Sequence, residues 1–206
     1  VALGAYTRLT HAGLGCPDWP KCYQNWIVHP EITTPALSLN ATQKAWIEMI
    51  HRYAAGILGI IIIILKLTSH SPQKTQSMLN RILAIVLIQA LFGMWTVTWR
   101  LHPLAVMPHL IGGMTITTLL YIDYIKKYQR TDTIIIPQSI KSCLKSLWFA
   151  ILVQIIIGGW TSANYAALIC PDFPLCQGKW LTNTEHFIQG FTLPFGYHSY
   201  EGGVIS

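Results

Sequence analysis

The sequence predicts an all-α, polytopic membrane protein. The expected architecture is a four-helix bundle, the first half of a duplicated eight-helix protein, followed by the fifth span. Three observations lead there. The chain is 52% hydrophobic and only 11% charged, against roughly 25% charged in soluble domains. Four apolar stretches, 45–65, 82–99, 104–122 and 144–165, are long enough to cross a hydrocarbon core of about 30 Å. Finally, Cys16-Pro-Asp-Trp-Pro-Lys-Cys22 recurs 154 positions later (16 to 170) as Cys170-Pro-Asp-Phe-Pro-Leu-Cys176. The register holds around it, pairing Gly4 with Gly158, Thr7 with Thr161, Leu14 with Leu168 and Trp26 with Trp180. A repeat of that length implies two homologous halves.

The elements follow in order. Residues 1–9 align with the end of the 144–165 stretch and are expected to be the last part of a truncated first span. Neither an initiator Met nor a charged leader stands there, so the chain is expected to be a fragment, open at both ends. A long loop, 10–44, carries the first cysteine pair. Spans two and three follow, then a tight link at 100–103 and span four. The first half is expected over 1–125, a polar linker over 126–143 and the start of the second half over 144–206. The Gly- and Pro-containing stretch 187–206 reads as loop.

The net charge of +6 does not describe a nucleic-acid surface. Lys66, Lys74 and Arg81 lie in one loop, and Lys126, Lys127, Arg130, Lys141 and Lys145 in another. With alternating spans both loops fall on the same side, which the positive-inside rule makes cytoplasmic or matrix-facing. The cysteine loops then face outward.

Two histidines stand inside spans. His51 is seventh in span two and His109 sixth in span four, and both spans start at the outer face. At about 1.5 Å per residue both imidazoles lie roughly 8–10 Å from that end. Matched depth lets two imidazoles bracket one metal–porphyrin, since imidazole is a common axial ligand to heme iron. Ala54, Ala55 and Gly56 follow His51, and Gly112 and Gly113 follow His109, leaving clearance for a flat macrocycle. The alternative is a hydrogen-bonded pair across a helix interface, although ionisable groups within a membrane are costly and usually functional. Glu48 precedes His51 by three residues and shares its face. It is a candidate proton acceptor or cation-stabilising group, or equally an ion-pair partner of Arg52, four residues on.

The cysteine spacing, with five residues between, fits neither a thioredoxin-like pair nor a zinc site. The prolines and Asp inside each loop favour a turn that joins the sulfurs. In an oxidising compartment the default is a disulfide within each motif, either a structural staple or a reducible redox pair. Cys143 is expected to be an unpaired thiol, and histidines 11, 29, 70, 102, 186 and 198 receive no metal role. Gln89-x3-Gly93-Met-Trp95-Thr96 and Gln154-x3-Gly158-Gly-Trp160-Thr161 share a pattern that helix packing and interfacial anchoring explain.

Several strings closely resemble the heme A synthase family, which serves cytochrome c oxidase assembly. They are Gly-Ala-Tyr-Thr-Arg-Leu-Thr (4–10), Gly-Leu-Gly-Cys-Pro-Asp-Trp-Pro-Lys-Cys (13–22), Glu-Met-Ile-His-Arg-Tyr-Ala-Ala-Gly (48–56), Pro-His-Leu-Ile-Gly-Gly (108–113) and the segment 158–176. The chain looks most like the proteobacterial and mitochondrial branch. The resemblance implies oxidation of the C8 methyl of heme O to a formyl group, giving heme A, with water as the oxygen source. It implies that His51 and His109 bind the substrate heme iron and that Glu48 is catalytic. It pairs Cys16 with Cys22 and Cys170 with Cys176. A heme b cofactor is implied too, with its histidines in spans beyond residue 206, so these 206 residues alone are expected to be inactive. Arg8, Arg52 and Arg100 are candidate partners for the heme propionates. Expected partners are heme O, membrane lipids, heme O synthase and other oxidase assembly proteins, with a homo-oligomer left open and no nucleic acid. The expected location is a bacterial cell membrane rather than the mitochondrial inner membrane. Two alternatives remain: a membrane thiol–disulfide/quinone oxidoreductase, and a non-catalytic heme carrier or b-type electron-transfer protein.

Overall fold

A computed structural model describes residues 1–29, 39–68, 73–128 and 136–166, together with 170, 172, 174–176, 178–180 and 188. The stretch read as a loop from 189 onward lies outside the described residues. Five helices are present: α1 (Ala2–Leu9), α2 (Leu39–Thr68), α3 (Gln73–Thr98), α4 (Pro103–Tyr128) and α5 (Gln138–Ala163). Among the described residues no strand forms beyond the isolated bridges Cys22–Asn25 and Cys176–Lys179. Helices α2 to α5 are long and apolar enough to cross a membrane. The chain is a polytopic, all-helical membrane protein.

The helices outrun the apolar stretches. Helix α2 begins at Leu39 and α4 runs to Tyr128, because polar residues continue a helix into the interface once its apolar turns are formed. Helix α5 instead stops at Ala163, two residues short of the expected end. Three helix ends explain this together. The residues after α1, α3 and α5 include His11, Arg100 and Tyr165, with φ of 50°, 49° and 55°. Their amides donate to the carbonyls of Arg8 (3.2 Å), Val97 (3.0 Å) and Ser162 (3.1 Å). After α1 and α3 the next amide closes a wider ring, Ala12 N–H to Thr7 O (2.9 Å) and Leu101 N–H to Thr96 O (2.7 Å). This is the Schellman ending, whose left-handed position glycine usually occupies. Helix α4 starts with Pro103, whose missing N–H costs nothing at that position. The His102 Nδ1 accepts the Leu104 N–H at 3.2 Å, which satisfies a free donor of the first turn. Burial holds this loop imidazole below its ordinary pKa, and the neutral ring keeps the accepting lone pair.

The chain divides into two units, Val1–Thr117 and Thr118–Ser206. In the first, α1 and α3 both pack on α2. Its buried cluster joins the loop residues Cys16, Cys22 and Val28 to Ala45 and Met49 of α2, with Tyr23 against it. Burying a side chain of Met49's size stabilises by roughly 1.5–3 kcal/mol. Farther along α2, Ile57, Ile60, Ile61, Ile63 and Ile64 are exposed. In the second unit Leu144, Leu147, Trp148, Phe149 and Ile151 of α5 are exposed as well. An apolar exterior on saturated helices is the pattern that lipid requires. Threonine hydroxyls are hidden in the same way: Thr115 donates to Ile111 O (2.8 Å) and Thr161 to Ile157 O (2.9 Å). Near the end of α3, Trp95 and Trp99 stack at 5.0 Å, as in an interfacial aromatic belt.

Candidate functional site

His51 of α2 and His109 of α4 face each other in the first unit. Their ring centroids are 6.4 Å apart and the planes lie 84° from parallel. Two imidazoles bonded to opposite sides of one metal, at about 2.0–2.1 Å per bond, place their centroids about 6.3 Å apart. The pair therefore has the spacing to hold a metal–porphyrin between its rings. The His109 Nδ1 is buried with no hydrogen-bond partner among the described residues. A buried polar atom of that kind ordinarily has a partner, and an axial metal bond or a ligand contact would use the ring. No cluster of three or more His, Cys, Asp or Glu side chains exists among the described residues. A porphyrin, which brings four of its own donors, is the kind of metal group that two imidazoles suit.

Helix α3 supports this pair. Gln89 is buried and its Nε2 donates to Pro108 O at 3.2 Å, next to His109 in the chain. Its carboxamide also lies across Gly112, where any β-carbon would overlap it. Pro108 sits inside α4 and cannot donate to the preceding turn.

One turn from His51, Glu48 is only 4% exposed. Its Oε2 accepts the Cys16 N–H at 2.9 Å, and its Oε1 pairs with the Arg52 guanidinium. Arg52 Nη1 also donates to Asp18 O (2.9 Å), Lys21 O (2.7 Å) and Pro20 O (3.3 Å). The loop closed by the Cys16–Cys22 disulfide is thus tied to α2 by a carboxylate on one side and a guanidinium on the other. Asp18 shapes the loop from within, its two oxygens accepting the Tyr23 and Gln24 amides at 2.7 Å each. In the second unit the Cys170–Cys176 loop repeats this fold: Asp172 accepts the Gly178 N–H at 2.7 Å. Cys143 is a free, exposed thiol.

Gly15 makes the docking possible. A β-carbon there would lie 2.6–2.7 Å from the backbone of Lys44 and Ala45, which cannot yield as a flexible side chain can. Gly15→Ala is therefore expected to lift the loop off α2. A water-soluble reductant should open Cys16–Cys22 many times faster, with Cys170–Cys176 unchanged as internal control. Equal reduction rates in the variant and the parent would show that the loop does not depend on this approach.

Residues 1–199 match the family model for COX15-CtaA, described as cytochrome oxidase assembly protein. The chain belongs to this family. It is 40% identical to the heme A synthase of Shewanella oneidensis, covering all of this chain and 65% of that protein. It is 26% identical to the heme A synthases of Halalkalibacterium halodurans (86% of this chain, 59% of that one) and Geobacillus thermodenitrificans (84% and 55%). The chain spans less than two thirds of the length of these relatives. No solved structure matches it.

This COX15-CtaA family member thus brings together two groups anticipated from the sequence, the His51–His109 pair and Glu48 with Arg52. Arg52 spends its donors on Glu48 and loop carbonyls in this structure. Arg8 lies in the last turn of α1, and Arg100 stands at the left-handed position after α3. Other roles appear only in the fold. The contacts of Gly15 and Gln89 are among them, whereas the amide-binding Asp18 shapes the turn expected from the prolines and Asp of the motif. The recurrence of Asp18 as Asp172 was the one signal that pointed to such a role.

Proposed function

We propose that the full-length protein is a heme A synthase, an oxidoreductase that converts the C8 methyl of heme O to the formyl group of heme A with oxygen from water. The observation that carries this is the His51–His109 pair, spaced to hold one heme iron. Relatives named heme A synthase support it. The substrate heme would be held by His51 and His109; taking its methyl group to formyl with one water releases four electrons and four protons, and the electrons would leave through the heme ring to an electron acceptor in the membrane. Glu48 stabilises positive charge developing at that carbon or takes its proton. The reading requires Glu48 to keep a fixed place near the pocket, which the Arg52 and Cys16 contacts provide. Arg8 and Arg100, at helix ends, are the proposed partners of the propionates. Arg52 joins them only by giving up a loop carbonyl.

Heme b is proposed as resident cofactor, held by histidines outside these residues; the described residues offer no second imidazole pair of the same kind. The proposed domains are 1–125 and 144–206, joined by 126–143. The cysteine loops are placed on the outer face of a bacterial inner membrane, because the Lys-rich loops belong inside. Heme O synthase and other oxidase assembly proteins are the proposed partners.

The test is heme content. In the full-length protein, His51→Ala and His109→Ala should each lose one of two bound hemes, and membranes should accumulate heme O in place of heme A. Extraction and chromatography of the hemes reads both. Unchanged heme stoichiometry and heme A yield in both variants would overturn the assignment.

A further inference from the structure

Helices α1 and α3 each place one glycine against one of the two imidazoles. A β-carbon on Gly4 would lie 3.2 Å from His51 Cε1, and one on Gly93 would lie 3.3 Å from His109 Cε1. Both distances are shorter than an ordinary van der Waals contact of about 3.5–4.0 Å between carbons. The two glycines also occupy the same place in the same local structure. Each begins a Gly-x-aromatic-Thr string, Gly4-Ala-Tyr6-Thr7 and Gly93-Met-Trp95-Thr96. In each, the Thr carbonyl accepts the closing amide of a Schellman ending. Each glycine stands seven residues before the left-handed residue, His11 after α1 and Arg100 after α3.

This repeated unit explains the matching of the histidines better than the helices that carry them. His51 lies well inside α2, counted from Leu39, whereas His109 lies near the start of α4, counted from Pro103. Counted from its own helix start, neither predicts the other. The backing glycines do, because both are measured from the same kind of helix end.

We infer that Gly4 and Gly93 are positioning residues that set the orientation of His51 and His109, so that α1 and α3 act as paired seats for the two axial ligands. The inference rests on the heme reading above. Glycine inside a helix costs about 1 kcal/mol relative to alanine, so a Gly→Ala change should not weaken either helix. What it must do is move the imidazole by a few tenths of an ångström or tilt it.

The experiment is electron paramagnetic resonance of the full-length protein loaded with ferric heme. The relevant low-spin component is the one that His109→Ala removes. Gly93→Ala and Gly4→Ala are expected to shift the g-values of that component and move part of it to high spin, and the double variant to lose most of it. Gly59→Ala is the control, since its β-carbon would meet only Val86 at 3.7 Å; its spectrum should match the parent. Disulfide formation and helix content verify folding in each case. Should Gly93→Ala fail to accumulate, Gly4→Ala decides alone. If the component is present and both glycine variants leave it unchanged, the seats are overturned and the heme reading stands. If the parent has no component that His109→Ala removes, the heme reading falls and takes the inference with it.

Discussion

Glu48→Gln in the full-length protein is expected to leave heme bound and to abolish most heme A formation. The amide keeps the shape of the carboxylate. Its carbonyl can still accept the Cys16 N–H, which now lies 2.9 Å from Oε2. The lost feature is the negative charge, held in a buried position one helical turn before His51. If that charge meets positive charge or a proton only as the methyl group is oxidised, binding and chemistry separate. Loss of a transition-state interaction of about 3 kcal/mol slows turnover by roughly 100-fold or more. Heme content of the purified protein and the heme O to heme A ratio in membranes measure the two quantities independently. Normal heme A output would reduce Glu48 to a structural partner of Arg52 and the cysteine loop.

Arg52→Leu should do the opposite, damaging the fold before the chemistry. It removes the charge that compensates a buried carboxylate and the donor to three loop carbonyls at once. Breaking one side of a buried ion pair costs about 3–5 kcal/mol. The expected result is a large fall in the thermal midpoint in detergent, together with rapid reduction of Cys16–Cys22. Arg52→Lys should recover part of the loss, since an ammonium restores charge but cannot reach carboxylate and carbonyls as a planar fork does. The double variant Glu48→Gln with Arg52→Leu should lose less than the sum of the two, because the carboxylate left stranded by the single change is gone. A melting curve of Arg52→Leu equal to that of the parent would show that the loop is held without the guanidinium, by Glu48 on the Cys16 amide and the apolar contacts with Ala45 and Met49.

Much of the fold was legible because membrane insertion imposes a coarse, one-dimensional rule. An apolar run of about 20 residues must become a helix, since lipid satisfies no backbone group. That rule located four spans but not their ends. Helix α5 stops before Tyr165 because that residue turns into the left-handed region and its amide donates back to Ser162 O, and no hydropathy window senses such a turn. The two cysteine motifs were legible for a different reason. Their pairing is local, over six positions, and proline and Asp within the loop limit its conformations.

The site divides along the same line. His51, His109, Glu48 and Arg52 could be named from sequence because charged and imidazole groups are costly in a membrane helix and therefore conspicuous there. That Glu48 is three residues before His51 and four before Arg52 follows from helix periodicity alone. Contacts between elements far apart in the chain could not be read in that way. The Cys16 amide on Glu48, the loop carbonyls on Arg52, Gly15 against the backbone of α2, and Gly4 and Gly93 against the imidazoles all depend on how helices and loop pack. Composition, periodicity and an internal repeat determined the helical membrane class, the duplicated loops and the identity of the chemical groups, since these are local or additive properties. Only the tertiary structure decided which of those groups meet. Close approach depends on distances of a few tenths of an ångström between separate helices, and a linear pattern does not encode them.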